Sequence, residues 1–152
     1  MKYVSHEQTA KENAIQMIKN GEATCVLVKD NRIVSAESPK GIAYVLDLYD
    51  KGMLEGVFVA DTIIGKAAAM VFAHAGVKEC YGRTISRAGL SWLEKRGISV
   101  TYDECADMIQ NRKGDGMCPM ESTVKEIFDE EEAIIALKNK VNELRKNHRQ
   151  TE

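Results

Sequence analysis

Apolar and polar positions along the chain repeat with two periods, one typical of helices and one typical of strands. The helical period predicts a first helix over 7–20, followed at once by a glycine that favours a helix end. A short apolar run at 24–29 predicts a strand, and a second strand follows over 32–36. The Asp30-Asn31 dipeptide between them suits the two-residue turn of a tight hairpin. The chain therefore begins with a helix and an antiparallel strand pair.

Beyond the hairpin, helices and strands alternate. The predicted elements are a helix opened by Ser38-Pro39, a strand over 56–60, a helix from Asp61 to Ala75, a strand over 77–81, a helix over 86–96, a strand over 98–102 and a short helix over 105–111. A helix between neighbouring strands makes a crossover, so these strands run parallel. Together with the hairpin, this predicts an α/β fold in which a mixed sheet of about five strands carries helices on both faces.

The end of the chain has a different pattern. Residues 1–128 carry the α/β alternation, whereas 129–152 predict an extra C-terminal helix rich in charge. Its apolar positions repeat at heptad-like spacing: Ile127, Ile134, Leu137, Val141 and Leu144. This seam either packs on its own domain or pairs with a second copy in a homodimer, and so short a seam does not decide between the two.

Composition excludes several function classes. Twenty-one Lys and Arg against twenty-three Asp and Glu give a net charge of −2, so no basic field attracts extended nucleic acid. No apolar run approaches the ~20 residues that cross a membrane, and the first eleven residues lack the apolar core of a signal peptide. The four cysteines include no C-x-x-C pair. We therefore expect a cytoplasmic protein with free thiols, without a metal or other cofactor.

The first candidate for chemistry is the segment from Asp61 to Lys66. Asp61 follows an apolar strand and is predicted to cap the next helix, and Lys66 lies in the second turn of that otherwise apolar helix. Gly65 leaves room for a ligand or a neighbouring backbone. Either the lysine reaches out to solvent and the aspartate is only a cap, or both face a polar ligand at the helix N-terminus.

The second candidate is the segment from Asn111 and Arg112 to Cys118 and Glu121. Cys118-Pro119 followed by Glu121 is typical of a helix start, where backbone N–H groups favour a thiolate. Cys118 is then either a nucleophile or a buried structural thiol. Arg112, Asn111 and Glu121 would contact a ligand if this flexible stretch folds over the cleft.

Two further cations lie in predicted strand-to-helix turns. Lys40 belongs to the Glu37–Gly41 turn and Arg83 to the Tyr81–Ser86 turn. Each either binds an anionic group or is simply solvated in an exposed loop.

Two motifs together resemble a known family. The run VADTIIGKAAA at 59–69 and the later NR and CPMES at 111–122 resemble domain-of-unknown-function family 1893, whose fold is similar to that of cytidine deaminases. The resemblance extends to Phe128. It implies a three-layer α/β/α sandwich around a five-stranded sheet.

The sequence departs from the deaminases at the metal site. Zinc deaminases place H-x-E or C-x-E at one helix start and P-C-x-x-C at the next. Here the corresponding helix starts begin at Ser38 and Asp61, and neither supplies a ligand triad. The prediction is a deaminase-like domain without zinc that binds a small anionic or nucleotide-like ligand. If it is an enzyme, Asp61, Lys66 and Cys118 are its catalytic candidates, for a metal-independent hydrolase or transferase. The alternative is a non-catalytic interaction or regulatory module acting through the C-terminal helix.

Overall fold

The structure is a computed structural model that describes residues 9–38 and 41–151. The predicted residues Glu7, Gln8, Pro39 and Lys40 lie outside these ranges. No helix in the described ranges has the length and apolar character needed to cross a membrane.

The chain builds one mixed sheet of five strands. The strands are β1 (Cys25–Lys29), β2 (Arg32–Glu37), β3 (Phe58–Ile64), β4 (Glu79–Ser86) and β5 (Ser99–Ala106). Their order in the sheet is β2-β1-β3-β4-β5. β1 pairs antiparallel with β2 and β3, whereas β3, β4 and β5 pair in parallel. The turn residues Asp30 and Asn31 both have positive φ, 52° and 58°, as a two-residue hairpin turn requires. The mixed five-stranded sheet and the hairpin are confirmed.

Helices cover both faces of the sheet, which completes the α/β/α arrangement. The helices are α1 (Ala10–Lys19), α2 (Ile42–Asp50), α3 (Lys66–Ala75), α4 (Arg87–Lys95), α5 (Pro119–Val124) and α6 (Glu130–Thr151). α1 packs on one face, where Ile18, Val26 and Tyr81 share a small core. The larger core lies on the other face and joins Leu27 and Val59 of the sheet to α2, α3 and α6.

The first half of the apolar seam of α6 packs inside its own chain. Ala133, Ile134 and Leu137 are buried in the larger core, and α6 lies against α3. At its start Glu130, only 9% exposed, accepts a hydrogen bond from Trp92 Nε1 at 2.7 Å and another from the Arg96 guanidinium. The seam therefore contributes to folding of the single chain.

The structure corrects the predicted start of α3. Asp61 does not cap this helix; it lies within β3, paired with Cys25 of β1 and Gly82 of β4. The strand continues to Ile64, and Gly65 takes the N-cap position, so Lys66 is the first helical residue instead of a second-turn residue. The prediction was wrong because the apolar Ile63 and Ile64 continue the strand beyond the aspartate.

Three other boundaries also differ from prediction. No helix forms over 105–111, because β5 pairs with β4 as far as Ala106 and a loop follows. β4 likewise extends to Ser86, so Arg83 belongs to a strand instead of a turn. The helix expected from Ser38 begins at Ile42.

Candidate ligand-binding cleft

A cleft of about 450 Å³ opens where β3 ends and α2 and α3 begin. Its walls come from separate parts of the chain: Asp61 in β3, Gly65 before α3, Ile42 in α2, and the segment from Ile109 to Glu121. In α/β sheets, ligands bind outside the carboxyl ends of parallel strands, and this cleft lies at that end of β3. Five of the nine predicted site residues line it: Asp61, Gly65, Arg112, Cys118 and Glu121.

Among the acids of the cleft, Asp61 has a pKa shifted far from its ordinary value. It lies two positions after the buried Val59 and so points to the same face of the sheet as α2 and α3. Burial raises its pKa from an ordinary 3.8 to about 7, and backbone hydrogen bonds from Thr62 and Ile63 offset only part of that effect. Close to neutral pH the carboxyl group therefore exists in both protonation states.

Glu121 closes the N-terminus of α3. Its two oxygens accept hydrogen bonds from the backbone N–H groups of Lys66 (2.7 Å) and Ala67 (3.0 Å). These N–H groups are otherwise unsatisfied at a helix start, and the helix dipole favours a carboxylate there. Burial nevertheless raises the pKa of Glu121. Glu121 therefore caps α3 through a tertiary contact, from a position 55 residues after the first residue of the helix.

Gly65 makes this contact possible. A Cβ atom at position 65 would lie 2.4 Å from the Glu121 carboxyl carbon, well inside van der Waals contact. The glycine therefore admits a neighbouring side chain, one of the two roles expected for it. That Glu121 is this neighbour was not predicted, because it lies 56 residues further along the chain.

Lys66 does not face the cleft with Asp61, which corrects the predicted pairing. Its side chain is 7% exposed, and Nζ donates to the carbonyl oxygens of Val124 (2.8 Å) and Lys125 (3.1 Å). The ammonium also lies 4.2 Å from the centre of the Phe128 ring, a cation–π contact. Burial lowers its pKa. Lys66 therefore holds the end of α5 in place.

The segment that carries Cys118 folds into a small turn. The backbone N–H of Asn111 donates to Gly116 at 2.8 Å, and that of Cys118 donates to Ile109 at 2.9 Å. The turn brings Arg112 and the partly buried Cys118 to the cleft. Asn111 instead lines a wider groove that adjoins the cleft.

The remaining predicted ligand contacts lie elsewhere. Arg83 is exposed on β4 near Tyr81, on the face covered by α1, and is not among the residues lining the cleft. Lys40 falls outside the described residues. Sequence reasoning missed the apolar walls, Ile42, Ile63 and Met120, because an apolar cleft wall has the same pattern as a core position.

Comparison with known proteins places the chain in a family. The sequence profile of the TM1506 family, described as a domain of unknown function (DUF1893), matches residues 13–141. The chain belongs to the DUF1893 family. A crystal structure of a DUF1893 family protein from Thermotoga maritima superimposes with a TM-score of 0.78 at 23% identity, over 92% of this chain and 97% of that one. The DUF1893 assignment confirms the resemblance drawn from the two sequence motifs.

More distant structures include a dCMP deaminase from the cyanophage S-TIM5. It is 17% identical, with a TM-score of 0.47 over 62% of this chain and 95% of the deaminase. No curated protein matches the chain.

Proposed function

We propose that this DUF1893 domain binds a small, nucleotide-like ligand in the cleft between β3, α2 and α3, and that it does so without zinc. The observation that carries the proposal is the convergence of Asp61, Arg112, Cys118 and Glu121 on one cleft of about 450 Å³. These residues come from distant parts of the sequence. A cavity of this size with a few convergent polar groups and a perturbed acid is typical of a ligand site.

Asp61 favours a ligand with neutral hydrogen-bonding groups. Burial raises its pKa to about 7, so near neutral pH part of the population carries a proton. A protonated carboxyl donates one hydrogen bond and accepts others, as the edge of a heterocyclic ring requires. Ile42, Ile63 and Met120 supply apolar surface for the faces of such a ring, and Arg112 supplies a charge for an anionic group.

Zinc does not fit the residues present. Zinc in proteins takes thiolate, imidazole or carboxylate ligands in a tetrahedral arrangement. α2 is preceded by Gly41, and α3 begins Gly65-Lys66-Ala67-Ala68, where no side chain can bind zinc. In the part of the chain that the structure describes, no three His, Cys, Asp or Glu residues gather in a way that could hold a metal.

If the domain is an enzyme, Asp61 and Cys118 are positioned to act on the bound ligand. An acid whose pKa is about 7 suits proton transfer at neutral pH, so Asp61 is our candidate acid–base residue. Cys118 lines the same cleft and is our candidate nucleophile. Lys66, the third residue expected to take part, is withdrawn because its ammonium binds the end of α5.

A binding screen tests the proposal. We would measure thermal stabilisation by the four ribonucleosides and their monophosphates, at pH 6 and pH 8. Wild type would be compared with Asp61→Asn and with Asp47→Asn, an exposed aspartate of α2 that does not line the cleft. At least one compound should stabilise wild type and Asp47→Asn alike and stabilise Asp61→Asn less. Equal stabilisation of all three proteins, or of none, would contradict the proposal.

The interaction-module alternative keeps only part of the seam. Ile134 and Leu137 are buried within the chain, whereas Leu144 is 37% exposed. A homodimer remains a prediction, which light scattering of the purified protein tests directly.

A further inference from the structure

A groove of about 1010 Å³ adjoins the cleft and opens between α2, the turn at 110–120 and the second half of α6. The groove and the cleft share Ile42, Arg112, Cys118 and Met120 as walls. The cleft and the groove are therefore neighbours, with these four residues common to both.

Three cations line this groove: Arg112 and Lys113 from the turn, and Arg145 from α6. None of them forms an ion pair with another residue of the described ranges. One carboxylate, Asp115, also lines the groove, and its Oδ1 accepts a hydrogen bond from Asn111 Nδ2 at 2.9 Å. The groove is therefore locally positive in a protein whose net charge is −2.

The first two N–H groups of α3 are not free for the anionic part of a ligand in this conformation. Helix N-termini commonly bind phosphate through free N–H groups. Here the N–H groups of Lys66 and Ala67 already donate to Glu121. The groove offers other donors, among them the guanidinium groups of Arg112 and Arg145, and guanidinium binds phosphate oxygens in a bidentate manner.

We infer that the groove is the subsite for a polyanionic tail, such as a di- or triphosphate, on the same ligand whose polar head lies in the cleft. This inference rests on the proposed function of the cleft. It also gives α6 a role in recognition: Val141 and Leu144 form an apolar side of the groove, and Arg145 extends from the same helix. The helix after the α/β domain would thus complete the binding site.

The test compares ligands of increasing phosphate number by isothermal titration calorimetry. The probes are each of the four ribonucleosides, their mono- and triphosphates, and inorganic triphosphate alone. The proteins are wild type, Arg145→Gln and, as a matched control, Lys146→Gln. Lys146 is the next residue of α6, is exposed and is not among the groove residues.

We expect at least one nucleoside triphosphate to bind wild type more tightly than its nucleoside does. Arg145→Gln should weaken triphosphate binding about tenfold, the effect of losing one charge-assisted contact, and leave nucleoside binding unchanged. Lys146→Gln should stay within about twofold of wild type.

The possible failures separate the two proposals. If nucleosides bind but added phosphates give no gain, or if Arg145→Gln and Lys146→Gln behave alike, the groove inference is wrong and the cleft proposal stands. If inorganic triphosphate binds in an Arg145-dependent manner and no nucleoside adds affinity, the cleft proposal is wrong and the groove is an anion site by itself. No binding by any probe refutes both.

Discussion

Replacing Asp61 with asparagine should make the domain more stable at high pH. The partly buried carboxyl has a pKa of about 7 in the folded protein, against 3.8 as its ordinary value. Between these two values the folded state keeps its proton while the unfolded state loses it, so wild-type stability falls as the pH rises from about 4 to about 7. Asparagine has the same size and does not ionise, so the variant does not lose stability in this way as the pH rises.

The magnitude follows from the size of the pKa shift. A difference of about 3 pKa units corresponds to about 4 kcal/mol at ~1.4 kcal/mol per unit, reached in full above pH 7. This is an upper limit, because an ionised carboxylate in an open cleft draws in water. It is still a large part of the 5–15 kcal/mol that stabilises a typical domain.

Urea denaturation of wild type and Asp61→Asn at intervals between pH 4.5 and 8.5 measures the effect. The variant's advantage in free energy of unfolding should grow with pH and level off above about pH 7. Asp47→Asn, which removes an exposed carboxylate from α2, should change stability by less than about 0.5 kcal/mol. A difference between Asp61→Asn and wild type that is constant over this pH range would refute the reasoning.

Three further predictions concern Lys66, Gly65 and the two buried cysteines. Lys66→Met should lower the free energy of unfolding by about 1–3 kcal/mol, because two carbonyl groups lose a charged donor; an unchanged urea midpoint would contradict it. Gly65→Ala should lower the free energy of unfolding by about 2 kcal/mol, because the added methyl group displaces the Glu121 carboxylate. In a Glu121→Ala background the same substitution should lower it much less. Equal losses in both backgrounds would show that the two residues are not coupled. In brief native-state alkylation followed by mass spectrometry, Cys25 and Cys80 should stay unmodified, because they are buried and their pKa values are raised; rapid labelling of either would oppose the burial described.

Elements marked by local signals were predictable from sequence. The hairpin was found because Asp30 and Asn31 are residue types that tolerate positive φ, and the structure uses both in that way. α4 was predicted over 86–96, and the structure shows a local cap at its start, where the Ser86 hydroxyl accepts a hydrogen bond from the N–H of Gly89 at 3.0 Å. In each case the decisive contact spans only a few residues.

The start of α3 and the role of Lys66 were not predictable in the same way. The group that caps α3 is Glu121, which lies 55 residues after Lys66, so the nearby Asp61 was wrongly given that role. The groups that bind Lys66 are the backbone carbonyl oxygens of residues 124 and 125. Every residue has such a carbonyl, so the residue types at these positions do not indicate the contact. β5 extended past its predicted end for a related reason, because pairing with β4 overrides the local pattern around Cys105.

The tertiary cap also constrains how any anionic ligand can bind. While Glu121 occupies the first two N–H groups of α3, a phosphate at that helix end would have to displace a carboxylate that fits closely over Gly65. Once displaced, the Glu121 carboxyl would lose its two backbone donors and lie beside the negative charge of the ligand, which further disfavours its ionised form. Binding the anion at Arg112 and Arg145 avoids this conflict, because both guanidinium groups lack an ion-pair partner within the described residues. The arrangement therefore favours a ligand whose charge lies in the groove and whose neutral head lies beside Asp61.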